Sequence, residues 1–160
     1  MSRQVALVGV SVAVLLWCAA LVTAPLAGSS RDYGGDLFAA AMYAIGSLVC
    51  HQRPERSFHL AGAQLPVCAR CMGLYIGAAV GVTSWAALAG LGPRPSARAA
   101  RWPTRIRIGL IMAAIPTLVS LATAWLGFWD PGNVVRATLA LPLGIAAGGL
   151  VSAGAARDLE

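Results

Sequence analysis

The sequence predicts an all-α integral membrane protein: a bundle of four transmembrane helices plus one short re-entrant or interfacial helix. Three observations predict it. The chain has 160 residues, 58% of them hydrophobic and only 11% charged, with a mean hydropathy of +0.73. Its charges lie mostly in the gaps between long apolar runs. Residues 5–27, 72–91, 108–129 and 137–156 contain no charged side chain. A helix needs about 20 apolar residues to cross the hydrocarbon core, and lipid offers the backbone no other hydrogen-bond partner, so each run reads as a spanning helix. The length allows one domain, 1–160.

The first span is drawn at 5–27. It is longer than the roughly 7–15 residues of a signal-peptide h-region, and Pro25 interrupts the small-residue stretch at its end, so it reads as a retained span. The run 37–50 is shorter. At about 1.5 Å per residue it reaches about 21 Å against a core of about 30 Å, which makes it the re-entrant or interfacial helix, with Asp36 as its N-cap. The second span is drawn at 72–91, with Pro66 at its approach, and the third at 108–129. The fourth is drawn at 134–156, with Asn133 as N-cap after the turn Asp130-Pro131-Gly132.

Arginine placement sets the orientation. All twelve basic residues are arginines, and Arg94, Arg98, Arg101, Arg105 and Arg107 crowd the acid-free loop 92–107. That loop is expected in the cytoplasm of a plasma-membrane (inner-membrane) protein, with the segment 50–71 extracytoplasmic. Pro93, Pro95 and Pro103 separate the loop from its neighbouring helices. Gly73, Gly77 and Gly81 form one small-residue stripe; Ala140, Gly144, Gly148 and Ser152 form another. Such stripes let helix backbones approach closely in lipid, but they do not say whether the partner helix is in the same chain.

Composition excludes disorder, because the apolar content is too high. It also excludes nucleic acid as a partner, although the net charge is +6, because the charges are few and interrupted by membrane runs. The partner it does imply is the lipid bilayer. A transport pathway is disfavoured because the spans lack intramembrane polar residues.

The chemistry concentrates in residues 50–75, which hold Cys50, Cys68, Cys71, His51 and His59 with Arg53, Arg56 and Arg70. Cys68 and Cys71 form a C-x-x-C expected on one face at the start of the second span, where helix N–H groups stabilise thiolates. Zinc takes four tetrahedral Cys or His ligands, and C-x-x-C is a common half-site. The leading reading is a zinc site of Cys50, Cys68, Cys71 and His51, with His59 as the alternative fourth ligand. Joint ligation by adjacent residues 50 and 51 requires an irregular backbone there, for which Pro54 provides a cause. A second reading is a membrane thiol–disulfide oxidoreductase using Cys68 and Cys71 with Cys50 as resolving thiol; a static disulfide is a third. An accessory subunit of a membrane complex is a further alternative. Cys18, mid-span, reads as a small buried apolar residue. Arg56, Arg70 and Arg136 are candidates for contact with an anion or ligand, or for headgroup contact. Arg136 lies inside the fourth span, where a charge usually faces the bundle interior, and Asp32, Asp36 and Glu55 are its candidate counter-charges.

Residues 50–58 (CHQRPERSF), 67–77 (VCARCMGLYIG) and, more weakly, 133–138 (NVVRAT) resemble the prokaryotic membrane-protein family called domain of unknown function 2085. The resemblance implies a multi-pass fold. It marks Cys50, His51, Gln52, Pro54, Arg56, Ser57, Cys68, Arg70, Cys71, Gly73, Tyr75, Gly77 and Arg136 as signature positions, and implies no reaction. The family pattern also carries an acid in the third helix; residues 116–124 here carry none, with Ser120 and Thr123 offering hydroxyls instead.

Overall fold

The structure is a computed structural model that describes residues 3–29, 32–91 and 102–155. Five α-helices and a small hairpin follow in order: α1 (Arg3–Ala27), α2 (Tyr33–Val49), a 3-10 turn (Pro54–Arg56), β1 (Ser57–Leu60), β2 (Ala63–Cys68), α3 (Ala69–Leu91), α4 (Trp102–Trp125) and α5 (Asn133–Ala155). Among the described residues four helices are long and apolar enough to cross a membrane, over Gln4–Ala27, Ala69–Leu88, Ile108–Trp125 and Asn133–Ala155. The protein is an all-α integral membrane protein with α2 as its shorter helix.

Several expected boundaries move. The short helix starts earlier than 37, because Asp32 rather than Asp36 caps it: the Asp32 carboxylate accepts from the Gly35 N–H at 3.3 Å. Asp36 sits in the first turn, where a negative charge still opposes the helix dipole favourably. At 17 residues α2 rises about 26 Å, still short of the core thickness. Ala39, Met42 and Gly46, three and four residues apart, form its buried stripe.

The hairpin is not anticipated by the sequence pattern. β1 and β2 pair antiparallel with Ser57 opposite Cys68, His59 opposite Gln64 and Leu60 opposite Ala63. The turn residues Ala61 and Gly62 both have positive φ, +51° and +82°. That is the type I′ condition, usually signalled by Asn-Gly, and alanine gives no such signal. Pro66 belongs to β2 rather than to a helix entry. Leu65, Pro66, Val67 and Cys68 are buried in succession, so the strand shows no alternation of faces. α3 then starts at Ala69, which leaves Cys68 on the strand and not on a shared helical face with Cys71.

α4 begins at Trp102, with Pro103 in its first turn, and Arg105 and Arg107 belong to this helix. The remaining arginines of the expected cytoplasmic loop, Arg94, Arg98 and Arg101, lie outside the described residues. α4 ends at Trp125, not 129. There Phe128 N–H donates to Thr123 O and Gly127 N–H to Ala124 O, the Schellman pattern, with Gly127 at φ +74°. α5 starts at Asn133, but its first intrahelical bond runs from Arg136 N–H to Gly132 O, and the Asn133 side chain is used elsewhere.

The glycine stripes face each other within the chain. A Cβ at Gly77 would collide with the Leu141 carbonyl and the Gly144 backbone, and one at Gly144 with the Leu74 carbonyl. Gly73 meets Ala137, Gly81 meets Ile145, and Gly148 meets Ala78 in the same way. α3 and α5 therefore share the most extensive helix contact, with α1 against α3 and α4 against α5. α4 leans on α5 through the Thr117 hydroxyl, which donates to the Leu139 carbonyl at 2.8 Å. Its other faces carry exposed Ile108, Ile111, Ile115 and Leu118, suited to lipid.

The α3–α5 contact generates a prediction. Gly77→Ala should destabilise the detergent-purified protein by about 1–3 kcal/mol, because packed backbone must move apart. Gly9→Ala, with nothing within 4 Å of the added methyl, should be neutral or mildly stabilising. Paired thermal-unfolding midpoints check the contrast.

Candidate metal centre

Three segments meet at the hairpin end of the bundle. α2 ends at Val49, and Cys50 follows in extended conformation with its N–H donating to Gly46 O. Gln52 then takes a left-handed conformation, φ +44°, which supplies the irregular backbone expected between residues 50 and 54. β2 ends on Cys68, and Cys71 lies in the first turn of α3. The ligand atoms of Cys50, Cys68 and Cys71 all lie within 4.8 Å of one another. Cys50 and Cys68 are buried and Cys71 partly so. Leu21, Ala24, Met42, Leu65, Val67 and Met72 pack around them, with Trp17, Phe58 and Tyr75 at the edge.

Hydrogen bonds hold the three segments in register. The Gln52 side-chain amide donates to Tyr43 O at 2.8 Å and to Pro66 O at 2.7 Å, tying α2 and the turn to β2 two residues before Cys68. Gln64 returns a bond to Gln52 O at 3.2 Å, and the Tyr43 hydroxyl donates to Gln64 O. Gly46 is required beside this clamp, because a Cβ there would run into the Pro66 carbonyl. Buried Ser57 donates to Arg53 O at 2.9 Å, closing the 3-10 turn. The Cys68 N–H donates to Cys50 Sγ at 3.2 Å, so one sulfur already accepts from the strand that carries another.

Cys68 ends the strand where α3 begins, among unpaired helix N–H groups. Its thiol is lowered to about 5, chiefly by a hydrogen bond from the Cys71 thiol; burial opposes this, and backbone N–H groups of Cys71 and Arg70 add to it. At neutral pH the trio therefore holds a thiolate, the form that binds metals and attacks disulfides.

The histidines lie differently. His51 is exposed beside Cys50, and His59 is exposed on β1, paired with Gln64 and further along the hairpin than the Ser57–Cys68 pair. Neither belongs to the close sulfur group. Cys18 is apart from it on α1, partly buried, with its thiol 3.5 Å from Tyr75 O.

The arginines collect next to the sulfurs. Arg136 is 5% exposed; its guanidinium donates to Asn133 Oδ1 at 2.7 Å and to Asp130 Oδ1 at 2.5 Å. The counter-charge is thus Asp130, not Asp32, Asp36 or Glu55. Arg136 holds the Asp130 carboxyl below its usual range, with Arg56 and Arg70 adding to the effect. Asn133 donates from its amide to Ser57 O at 3.0 Å, so it links α5 to the hairpin instead of capping its own helix. Arg70 reaches the buried Ser120 carbonyl at 3.1 Å, within the acid-free stretch of α4. Sequence reasoning missed Tyr43, Asp130 and the carbonyl role of Ser120. Asp130 sits in a turn whose only sequence signal is conformational, and a main-chain acceptor leaves no signal at all.

Residues 50–150 match the family described as "Predicted membrane protein (DUF2085)", and the chain belongs to that family. The match starts at Cys50 and takes in the sulfur trio, α3, α4 and most of α5. An uncharacterized protein of Methanocaldococcus jannaschii is 36% identical over 95 residues, 59% of this chain and 56% of that protein. An uncharacterized protein of Methanothermobacter thermautotrophicus is 32% identical over 97 residues, 61% of this chain and 78% of that one. The chain thus matches little more than half the length of the first of these relatives. No solved structure matches it.

A pH prediction follows. In reduced protein stripped of metal, carboxymethylation of Cys68 should rise through an apparent pKa near 5, and Cys71→Ala should move that midpoint up towards the ordinary thiol value of 9.0. Because the folded-state value of Cys68 is depressed, the contribution of this one group to stability is lost as pH falls from the ordinary thiol value of 9.0 towards 5. Peptide-resolved alkylation across this range checks it.

Proposed function

We propose that the chain is a metal-binding membrane protein in which Cys50, Cys68 and Cys71 ligate one zinc ion and His51 completes the set. The observation that carries this reading is the mutual approach of three sulfurs from three different segments. A tetrahedral zinc with bonds of about 2.3 Å asks for sulfurs about 3.8 Å apart, a separation that three sulfurs within 4.8 Å of one another reach by small shifts. His51 is favoured over His59 because it adjoins Cys50 at the irregular turn, whereas His59 is directed along the hairpin by its pairing with Gln64. A four-ligand site of this kind is structural in character: it staples the end of α2 to the start of α3.

A specific observation favours a second reading. The depressed Cys68 thiol beside Cys71 is also the form in which a thiol–disulfide oxidoreductase holds its attacking cysteine, with Cys50 placed to resolve. The accessory-subunit reading has less support, because the glycine stripes that a partner helix would use are occupied by each other. The sulfur trio is assigned to the extracytoplasmic side on the arginine content of the loop 92–107.

The decisive experiment is metal content and free-thiol count on one detergent-purified sample, with no metal added and chelator kept out. The metal reading expects about one zinc per chain, with Cys50, Cys68 and Cys71 protected from alkylation until chelator is added. The redox reading expects no metal and two thiols recovered only after reductant. Cys71→Ser should lower metal content severalfold and destabilise the hairpin end, while Cys18→Ser should do neither. On intact cells treated with chelator, a membrane-impermeant maleimide should label the trio; labelling only after lysis would reverse the assigned orientation.

A further inference from the structure

Beside the sulfurs, Arg56, Arg70 and Arg136 are brought together from three elements: the 3-10 turn and the first turns of α3 and α5. Arg70 experiences the charges of Arg136, Cys68, Arg56 and Asp130. Among the described residues Asp130 is the one carboxylate in this group and the Cys68 thiolate is a second negative charge facing Arg70, so three guanidiniums meet two negative charges and positive charge stays in excess. The excess is not simply turned out to water. The Nε atoms of Arg56, Arg70 and Arg136 are all buried, and none has a hydrogen-bond partner. Arg136 as a whole is nineteen-twentieths buried, and Arg70 runs inward to the Ser120 carbonyl rather than outward to an interface.

Buried donors on charged groups are normally satisfied, and like charges are normally kept apart. Guanidiniums gathered in this way present flat N–H forks suited to oxyanions. α3 and α5 run parallel, Gly73 against Ala137 and Gly81 against Ile145, so their N-terminal partial charges lie on the same side.

We propose that Arg56, Arg70 and Arg136 form a binding site for a phosphoryl group, supplied either as free phosphate or as an anionic lipid headgroup. A carboxylate offers one charge and two oxygens. A phosphate ester or ion offers one to two charges and enough oxygens to accept from three guanidiniums. Asp130 and Asn133 hold Arg136 in place and are not themselves contacts to the anion. The site adjoins the proposed metal ligands, since Arg70 lies between Cys68 and Cys71 and faces the Cys68 charge, but no cysteine is itself a contact to the anion.

The test is the thermal midpoint of the protein as purified in neutral detergent. The probes are inorganic phosphate, sodium acetate at equal ionic strength, and mixed micelles containing phosphatidylglycerol. The variants are Arg56→Gln and Arg70→Lys. Arg56 holds the fold through its backbone N–H to Arg53 O and not through its side chain, so Arg56→Gln leaves a folded protein to measure; Arg70→Lys keeps the charge and removes the fork. Phosphate should raise the wild-type midpoint by about 5 °C, acetate should not, and both variants should lose most of the shift. A response to phosphatidylglycerol alone, with the same dependence on the variants, supports the site and names the headgroup as the source. No response to either phosphoryl probe overturns the proposal, as does an equal response to acetate or an undiminished response in both variants.

Discussion

The close approach of α3 and α5 is the constraint on which the rest of the structure depends. In lipid, apolar side chains gain little by meeting each other, so helices associate where small residues let backbones come near. Gly73, Gly77 and Gly81 on α3 and Gly144 and Gly148 on α5 provide that approach. Once the two backbones touch, their first turns lie side by side. Arg70 and Arg136 become neighbours, and Asn133 comes within reach of Ser57 on the hairpin. Cys68 and Cys71 ride on the start of α3, so the same contact places the sulfurs.

The hairpin end is where polar chemistry is admitted into an otherwise apolar molecule. Its backbone is irregular, and each irregularity has a partner. Gln52 satisfies two carbonyls, Tyr43 a third and Ser57 a fourth. Around this frame Leu21, Met42, Val67 and Met72 bury Cys50 and Cys68, with Cys71 partly open. A low dielectric strengthens whatever the thiolate pairs with and makes an unpaired charge costly. The arginine group departs from that economy, with three buried Nε atoms unsatisfied beside sites that are otherwise matched donor to acceptor.

The spans were legible because the bilayer imposes one simple requirement, a strongly apolar helical run of sufficient length with few charges, and the four runs meet it. Their ends were less legible. Helix termini are decided by single hydrogen bonds, such as Asp32 to Gly35, and by the Gly127 turn that stops α4 short of Trp129. The hairpin was illegible for two local reasons: an alanine occupies a left-handed turn position, and a strand buried on both faces has no alternation to read. The cysteine trio was legible because a chain otherwise poor in reactive groups places three thiols within 22 residues, positions 50–71. The partner of Arg136 was not, since Asp130 competes on paper with every other acid near that end.

The sequence by itself determined that this is a four-span membrane protein with one short helix and a cysteine cluster beside arginines. Composition and run length suffice for that, because burial in lipid is a property of each segment taken alone. Only the tertiary structure decided that the glycine stripes serve each other, that Cys68 ends a strand, that Asn133 ties α5 to the hairpin, and that Arg70 turns inward to Ser120. These are relations between segments far apart in the chain. They rest on backbone carbonyls, close approach and shared burial, none of which is a property of a single residue type.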